Sequence, residues 1–91
     1  MFYYLYKTTN LINAKIYIGV HKTKKLNDGY LGSGKIIKDA IKKYGKEFFK
    51  KEILEFFDNE DLMYLKEMEV VDETFIKNAD TYNLMIGGFG R

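Results

Sequence analysis

No cysteine occurs among the 91 residues of this chain, so a small hydrophobic core has to hold the fold without disulfides or thiolate-bound metals. The single histidine, His21, excludes a histidine-rich metal site, and any bound metal would need oxygen ligands. The length is that of one domain, and we expect residues 1–91 to form a single unit. The eight tyrosines and seven phenylalanines supply bulky rings that fill such a core economically.

The chain shows no targeting or membrane signal. Its apolar runs are only a few residues long, and the segment from Met1 to Tyr6 has neither a basic leader nor a signal-length apolar core. We therefore expect a soluble, cytoplasmic protein with no membrane partner. The final Gly90-Arg91 is compatible both with a natural end and with the cut edge of a longer protein.

Charge is divided along the chain more than its net value of +2 indicates. Residues 22–51 contain ten lysines against three acidic residues, whereas residues 52–80 contain ten acidic residues against two lysines. Two interpretations remain open. In the first interpretation, both segments are simply solvent-exposed faces. In the second, the basic segment forms a cationic face for phosphates, and the acidic segment beside it supplies a metal ligand.

Two runs rich in aromatic and β-branched residues open the chain. The runs Phe2–Thr8 and Lys15–Val20 predict strands, and the polar residues 9–14 between them predict a hairpin connection. The two strands should therefore pair antiparallel. Residues 21–34 are polar and glycine-rich, which predicts an irregular loop with room for functional residues.

A helix should follow, with Ser33 as its N-cap and its last turn at Tyr44, before Gly45. Apolar side chains share one side of its helical wheel and lysines share the other. The apolar set is Ile36, Ile37, Ala40, Ile41 and Tyr44, and the basic set is Lys35, Lys38 and Lys42. We expect the helix to bury the first set and to present the second to solvent.

The second half of the chain predicts a third strand at residues 48–57 and a second helix, capped by Asn59, that runs to about Ile76. The buried stripe of this helix is expected to comprise Tyr64, Met68, Val71 and Phe75. The order strand, strand, helix, strand, helix is typical of an α+β domain with a small antiparallel sheet flanked by helices. Residues 82–86 are expected to pack back on this sheet.

Two short motifs on the first two strands, Tyr4-Leu5-Tyr6 and Tyr17-Ile18-Gly19, carry a resemblance to a known family. Further matches follow in order at His21, at residues 28–35, at residues 40–45 and at residues 82–84. By order and spacing the chain resembles the GIY-YIG nuclease family, above all its phage-encoded homing endonucleases. Tyr4 and Leu5 stand where that family has Gly and Ile, and Ala14 stands where it usually has Gly.

The resemblance implies a fold and a chemistry. The family fold is a three-stranded antiparallel sheet flanked by helices, which agrees with the order of elements predicted above. The implied activity is that of a metal-dependent endonuclease, which hydrolyses phosphodiester bonds of DNA with Mg²⁺ or Mn²⁺. In such an enzyme a helical glutamate binds the metal, the motif tyrosines orient or activate the attacking water, and a basic side chain supports the phosphate. A transient dimer on DNA is left open.

The resemblance also marks candidate catalytic residues. Tyr6 and Tyr17 lie on adjacent strands, so their hydroxyls are expected to converge if the register pairs them. His21 can relay a proton or donate to a phosphate. Glu67 is preferred as the metal ligand, because it lies at the edge of the buried stripe of its helix, whereas Glu69 points away from that stripe.

The basic residue is harder to assign, because the single arginine of the chain is Arg91 at its end, whereas the family usually has one in or near its first helix. Lys35 is the catalytic candidate, since it lies in the first turn of a helix whose amides favour an anion. A lysine supplies a point charge rather than a bidentate fork. Lys24 and Lys25 are rivals for the role. The expected nucleic-acid contacts are Lys24, Lys25, Lys38, Lys42 and Asn83. For Asn83, support of a neighbouring site residue and capping or turn formation are the alternatives.

Residues Gly29 to Lys35 also spell Gly-x-x-x-x-Gly-Lys, the start of a phosphate-binding loop motif. Ile36 replaces the Ser or Thr that would hold magnesium, and no buried parallel strand leads into the loop, so no nucleotide cofactor is expected. The alternative to an endonuclease is a nucleic-acid-binding module of the same fold, whose catalysis is weak or was lost with the missing arginine.

Overall fold

A computed structural model describes residues 1–83 of the chain. These residues form an α+β fold with the predicted order of strands and helices, followed by one further short helix. The strands are β1 (Phe2–Asn10), β2 (Ile16–Thr23) and β3 (Phe49–Phe57). The helices are α1 (Lys35–Tyr44), α2 (Glu60–Val70) and α3 (Glu73–Ile76), and a short 3-10 helix at Lys46–Phe48 precedes β3.

The three strands form one antiparallel sheet in the order β2-β1-β3, so the N-terminal strand is central. Successive side chains of a strand point to opposite faces of the sheet. One face, which we call the tyrosine face, carries Tyr4, Tyr6 and Thr8 of β1 opposite His21, Gly19 and Tyr17 of β2, respectively. The opposite face carries the apolar side chains of Leu5 and Ile18.

The hairpin between β1 and β2 is closed by local hydrogen bonds. The backbone N–H of Ile12 donates to Asn10 Oδ1 at 2.9 Å, and the N–H of Ala14 donates to the carbonyl oxygen of Asn10 at 2.8 Å. Ala14 has a φ of 65°, in the left-handed region that glycine adopts at the lowest cost. This backbone conformation explains why a glycine is usual at this position.

Helix α1 packs on the tyrosine face. Its buried Ile37 and Ala40 form a core cluster with Phe49 and Tyr82, and the partly buried members around this cluster are Tyr17, Leu31, Ile41 and Tyr44. The predicted amphipathic helix is therefore confirmed, except that Ile36 is exposed. The predicted cap is wrong by one residue, because Gly34 is the N-cap and the Ser33 side chain bonds to Tyr17 instead.

The opposite face of the sheet has its own core. Leu5, Ile18 and Val71 are buried there, and the partly buried residues packed against them are Ile16, Val20, Phe57, Val70, Phe75 and Ile76. The end of α2 and the short α3 thus cover this face, which leaves the sheet between two helical layers.

The single helix predicted up to Ile76 is wrong. Helix α2 ends at Val70, because Val71 leaves the helical conformation with φ −95° and ψ 70°, and Asp72 then caps α3 by accepting a bond from the N–H of Phe75 at 2.8 Å. The break also changes which side chains point inward. Met63 is 1% exposed, whereas Met68, expected in the buried stripe, is 44% exposed.

One boundary differs from expectation in a way that affects the site. Strand β2 continues to Thr23, so His21 lies on a strand and not in the loop that was predicted to begin there. The tail packs back as expected as far as it is described, since Tyr82 N–H donates to the Ile16 carbonyl at 2.7 Å. Residues 84–91, including the rest of the predicted tail segment, lie outside the described residues. Within residues 1–83, no helix has the length and apolar character needed to cross a membrane.

Candidate active site

The two motif tyrosines meet over a glycine. Tyr6 lies opposite Gly19, and Tyr17 lies two residues further along β2, so the two rings approach diagonally with their centroids 6.2 Å apart. A Cβ atom at position 19 would lie 2.8 Å from the hydroxyl oxygen of Tyr6 and 3.0 Å from Cε2 of Tyr17. Only glycine leaves this space, and the expected convergence of Tyr6 and Tyr17 on one face of the hairpin is present.

The loop between β2 and α1 holds Tyr17 from the other side. A Cβ atom at Gly34 would lie 3.2 Å from Cε1 of Tyr17 and 3.4 Å from its hydroxyl oxygen, and Gly32, with a φ of 152°, passes equally close to the ring. The loop is tied to β1 because the Thr8 hydroxyl donates to the carbonyl oxygen of Leu31 at 2.7 Å. The glycines of this segment therefore serve close packing on Tyr17, as well as turns.

Both tyrosine hydroxyls keep their protons at neutral pH. Burial is the largest cause that raises the pKa of Tyr6, and the neighbouring Tyr30, Tyr17 and Glu67 raise it further. Burial also raises the pKa of Tyr17, although hydrogen bonds from Ser33 and from the Gly34 backbone act in the opposite direction. Each hydroxyl can therefore donate or accept a hydrogen bond with a water molecule, but neither is a strong base.

Glu67 is the carboxylate whose charge acts on both of these hydroxyls. It is half-buried on α2, one turn from the buried Met63, and its negative charge contributes to the raised pKa of both Tyr6 and Tyr17. Glu69 lies on an exposed part of the helix and pairs with Lys66 at 3.6 Å. Of the two candidates, Glu67 is thus the less exposed and the one whose charge acts on the tyrosines, and its role as metal ligand stays a prediction.

His21 lies opposite Tyr4 and is held on two sides. Its ring stacks on Tyr30 with a centroid distance of 3.6 Å and an interplanar angle of 7°, and its Nε2 lies 2.8 Å from Oδ2 of Asp28. The hydrogen bond to His21 is the main cause that lowers the pKa of Asp28, against an opposing effect of burial. The second carboxylate oxygen of Asp28 accepts the backbone N–H of Tyr30 at 3.0 Å.

Sequence reasoning missed Asp28. The segment that contains it was interpreted as part of a glycine-rich loop and as a match to the family, with no role for its carboxylate, because an Asp before a Gly is an ordinary turn signal. In the structure its carboxylate fixes the orientation of the His21 imidazole, as carboxylates that orient catalytic or metal-binding histidines do. No local pattern in the sequence indicates this pairing across the loop.

Lys51 is the second residue that sequence reasoning missed. It is half-buried on β3, where its Nζ donates to the Tyr4 hydroxyl at 2.8 Å and lies 5.1 Å and 5.9 Å from the ring centroids of Tyr4 and Tyr6. A signal was available, because alternation along β3 puts Lys51 on the same face as Phe49, which is buried.

The lysines that the sequence analysis expected at the site are exposed to solvent. The side chain of Lys35 is 83% exposed and pairs with Asp39 on the next turn of α1 at 2.9 Å, so the structure does not bring it to the tyrosines. Its place on the outer side of α1 follows from the burial of Ile37 and Ala40 on the inner side. The other expected nucleic-acid contacts on this part of the chain, Lys24, Lys25, Lys38 and Lys42, are also exposed.

Asn83 is buried and bonds to β2. Its Nδ2 donates to the Ile18 carbonyl at 2.7 Å, and its Oδ1 accepts the Ile18 N–H at 2.9 Å. Its side-chain amide thereby makes the two hydrogen bonds that a neighbouring strand would make to Ile18, the residue between Tyr17 and Gly19. This geometry favours a positioning role over the direct contact with nucleic acid that was expected from the sequence.

The site offers oxygen donors to a metal. Within residues 1–83, no three His, Cys, Asp or Glu side chains form a group that could hold a metal. A divalent cation that takes one or two carboxylates and completes its shell with water and substrate oxygens would use the carboxylate of Glu67.

Comparison with known proteins identifies the class of this domain. No protein-family model matches the chain. Its fold is similar to that of the catalytic domain of the intron endonuclease I-TevI, solved as a glutamate-to-alanine variant, with a TM-score of 0.66 and 23% identity over 94% of this chain and 96% of that domain. With its motif tyrosines and Gly19 in place on the first two strands, the chain has the fold of this GIY-YIG catalytic domain.

Its sequence relatives come from a phage. The chain is 58% identical over 90 residues to segB of enterobacteria phage T4, 54% identical over 89 residues to segC and 47% identical over 87 residues to segA. SegA is named an endonuclease, and the other two carry that name provisionally. The matches cover 99%, 98% and 96% of this chain but 41%, 45% and 39% of those proteins. The chain thus spans about two fifths of the length of these relatives.

Proposed function

We propose that this domain is a divalent-metal-dependent endonuclease that hydrolyses phosphodiester bonds in DNA. The observation that carries the proposal is the convergence of the protonated Tyr6 and Tyr17 hydroxyls at Gly19, with the charge of Glu67 near enough to raise the pKa of both. Relatives that cover almost the whole chain are named endonucleases, which supports the same activity. Mg²⁺ is the expected metal and Mn²⁺ a substitute, because both accept oxygen ligands.

Each residue of the site has a distinct task in this reaction. Glu67 holds the metal, which when bound supplies positive charge to the phosphate. The hydroxyls of Tyr6 and Tyr17 hydrogen bond to the attacking water and orient it toward phosphorus. His21, oriented by Asp28, exchanges a proton with the reacting oxygens. Lys35 joins the exposed lysines that face the DNA backbone, instead of acting at the tyrosines.

Glu67→Gln tests this proposal, with Glu69→Gln as the matched control on the same helix. Purified protein is incubated with supercoiled plasmid and Mg²⁺ or Mn²⁺, and nicked and linear products are quantified. We expect Glu67→Gln to lower the cleavage rate by about 100-fold or more, while Glu69→Gln cuts normally. Cleavage that survives Glu67→Gln at the wild-type rate would remove Glu67 from the mechanism.

A second candidate function is a DNA-binding module without catalysis. It is favoured by the described residues, since residues 1–83 contain no arginine and the Lys35 side chain is exposed and paired with Asp39. DNA binding in Ca²⁺, measured in parallel with cleavage, separates the two functions. Salt-dependent binding without product in Mg²⁺ or Mn²⁺ would establish the silent module and contradict the endonuclease.

The biological setting of the domain follows from the same proposal. We infer that it acts on DNA in the cytoplasm of a bacterial host cell, as the phage origin of its relatives indicates. It needs no nucleotide cofactor, and residues 1–91 act as a single nuclease domain. The band pattern of the plasmid assay distinguishes nicking by one copy from double-strand cutting by a transient dimer.

A further inference from the structure

The tyrosine face carries a cation that none of the tasks above uses. Lys51 lies beside the central strand with its Nζ bonded to the hydroxyl of Tyr4 at 2.8 Å and within 6 Å of the Tyr4 and Tyr6 ring centroids. Tyr4 itself is fully buried, so the atom that holds the ammonium group is fixed. A half-buried lysine held by a buried hydroxyl has far fewer accessible orientations than a surface lysine.

We propose that Lys51 contacts a phosphate oxygen of bound DNA at the β3 side of the site, and that Tyr4 is the positioning residue that holds Lys51 there. The proposal rests on the proposed function, because it takes the tyrosine face as the DNA-binding face. An ammonium group has three N–H donors, so two remain for phosphate after the bond to Tyr4.

Lys51 meets requirements that Lys35 does not. The Lys35 side chain is 83% exposed and paired with Asp39, whereas Lys51 is partly shielded from water by aromatic rings, where a charge interacts more strongly with a phosphate. Ordering a flexible surface lysine also costs side-chain entropy that a lysine already held in place does not lose on binding. Lys51 therefore supplies, from a strand, a positive charge beside Tyr4 and Tyr6.

The hydrogen bond between Lys51 and Tyr4 also gives a role to a residue that differs from the family motif. Tyr4 occupies the first motif position, where the family has glycine, and a glycine has no hydroxyl to accept the Lys51 N–H. Tyr4 is surrounded by Tyr6, His21 and Phe56, whose rings pack edge-on against it. These contacts fix the Tyr4 ring and place its hydroxyl toward β3.

Lys51→Gln and Lys50→Gln provide a matched test on neighbouring residues of one strand. The two changes remove the same charge, but Lys50 is exposed on the opposite face of the sheet. Binding of the chain to duplex DNA is measured in Ca²⁺ over a range of salt concentrations. Loss of one phosphate contact lowers the slope of log K against log salt by about one, so we expect this change for Lys51→Gln only. Equal slopes for the two variants would overturn the proposal.

Tyr4→Phe tests the positioning role, because it keeps the aromatic packing and removes only the hydroxyl. We expect Tyr4→Phe to reduce the salt slope in the same direction as Lys51→Gln, with little change in the thermal unfolding temperature. A Tyr4→Phe protein with the wild-type slope would show that Lys51 does not depend on Tyr4, and would overturn that part of the proposal.

Cleavage rates at saturating DNA then identify which phosphate Lys51 contacts. A rate that falls by about 100-fold in Lys51→Gln supports contact with the phosphate that is cut, and an unchanged rate with a reduced slope supports contact with a neighbouring one. A wild-type protein that binds DNA but never cuts it would refute the proposed endonuclease activity. The comparison of salt slopes would still decide the role of Lys51 in that case.

Discussion

Gly19 shows how much of the site depends on one missing side chain. The strand pairing puts Gly19 directly opposite Tyr6, and the Tyr6 hydroxyl oxygen lies only 2.8 Å from the position that a Cβ atom would occupy. The same space admits the ring of Tyr17. A motif glycine on a strand, which ordinarily weakens a sheet, is here required by the close approach of two rings.

Gly19→Ala should therefore damage both activity and stability. The added methyl displaces the Tyr6 hydroxyl, so we expect slower plasmid cleavage together with a loss of about 1–3 kcal/mol in the free energy of unfolding. Urea denaturation measures the loss of stability that Gly19→Ala causes in the wild-type protein and in a protein that already carries Tyr6→Phe. The stability loss should be smaller in the Tyr6→Phe background, because the closest clashing atom is gone. Equal losses in both backgrounds would contradict the close contact as the cause.

At the scale of elements, the edge of the sheet at β2 is completed by the tail. Thr81 pairs with Ile16 in a parallel bridge, and Asn83 satisfies both backbone groups of Ile18. This short segment extends the sheet beside the strand that carries Tyr17 and Gly19. The position of Tyr17 thus depends on residues more than sixty positions away in the chain.

Asn83→Ala tests this dependence. It leaves the N–H and carbonyl of Ile18 without their partners, and we expect a loss of about 1–3 kcal/mol in the free energy of unfolding. Cleavage should slow as Tyr17 shifts, while the salt dependence of DNA binding stays unchanged. Asn27→Ala, in the exposed loop, is the control and should match the wild type in stability and activity. A reduced salt slope in Asn83→Ala would instead support a direct contact with DNA.

At the scale of the whole molecule, the divided charge of the sequence becomes a division between the faces of the sheet. Helix α1, with the exposed Lys38 and Lys42, packs on the tyrosine face, whereas the acidic α2 and α3 segment covers the opposite face at its end. Glu67 is the acidic residue of α2 whose charge reaches the tyrosines. This arrangement favours the interpretation of a cationic face beside a carboxylate over that of two merely solvated segments.

The double change Lys38→Gln and Lys42→Gln tests the cationic face. Its matched control is Lys66→Gln with Lys77→Gln, which removes the same charge from the acidic half. We expect the first pair to lower the slope of log K against log salt by about two, and the second to leave it unchanged. Equal slopes in the two proteins would show that net charge, and not a defined face, governs binding.

Local patterns were enough to predict several features of the molecule. Strand alternation and turn residues located β1, β2 and β3, and helical periodicity located α1 with its inner and outer sides. The motif tyrosines were marked by the family resemblance, and their convergence needed only the pairing of two neighbouring strands. Residues close along the chain have a fixed spatial relation once the element type is known.

The remaining features required the tertiary structure. Lys51 and Tyr4 are 47 residues apart, and their contact depends on the register of β3 on β1, which shifts between Leu5 and Tyr6. The break of the second helix at Val71 and the outward position of Lys35 were decided by which side chains the two cores bury. Hydrogen bonds and ion pairs between distant residues depend on strand register and helix docking, and neither of these produces a periodic pattern in the sequence.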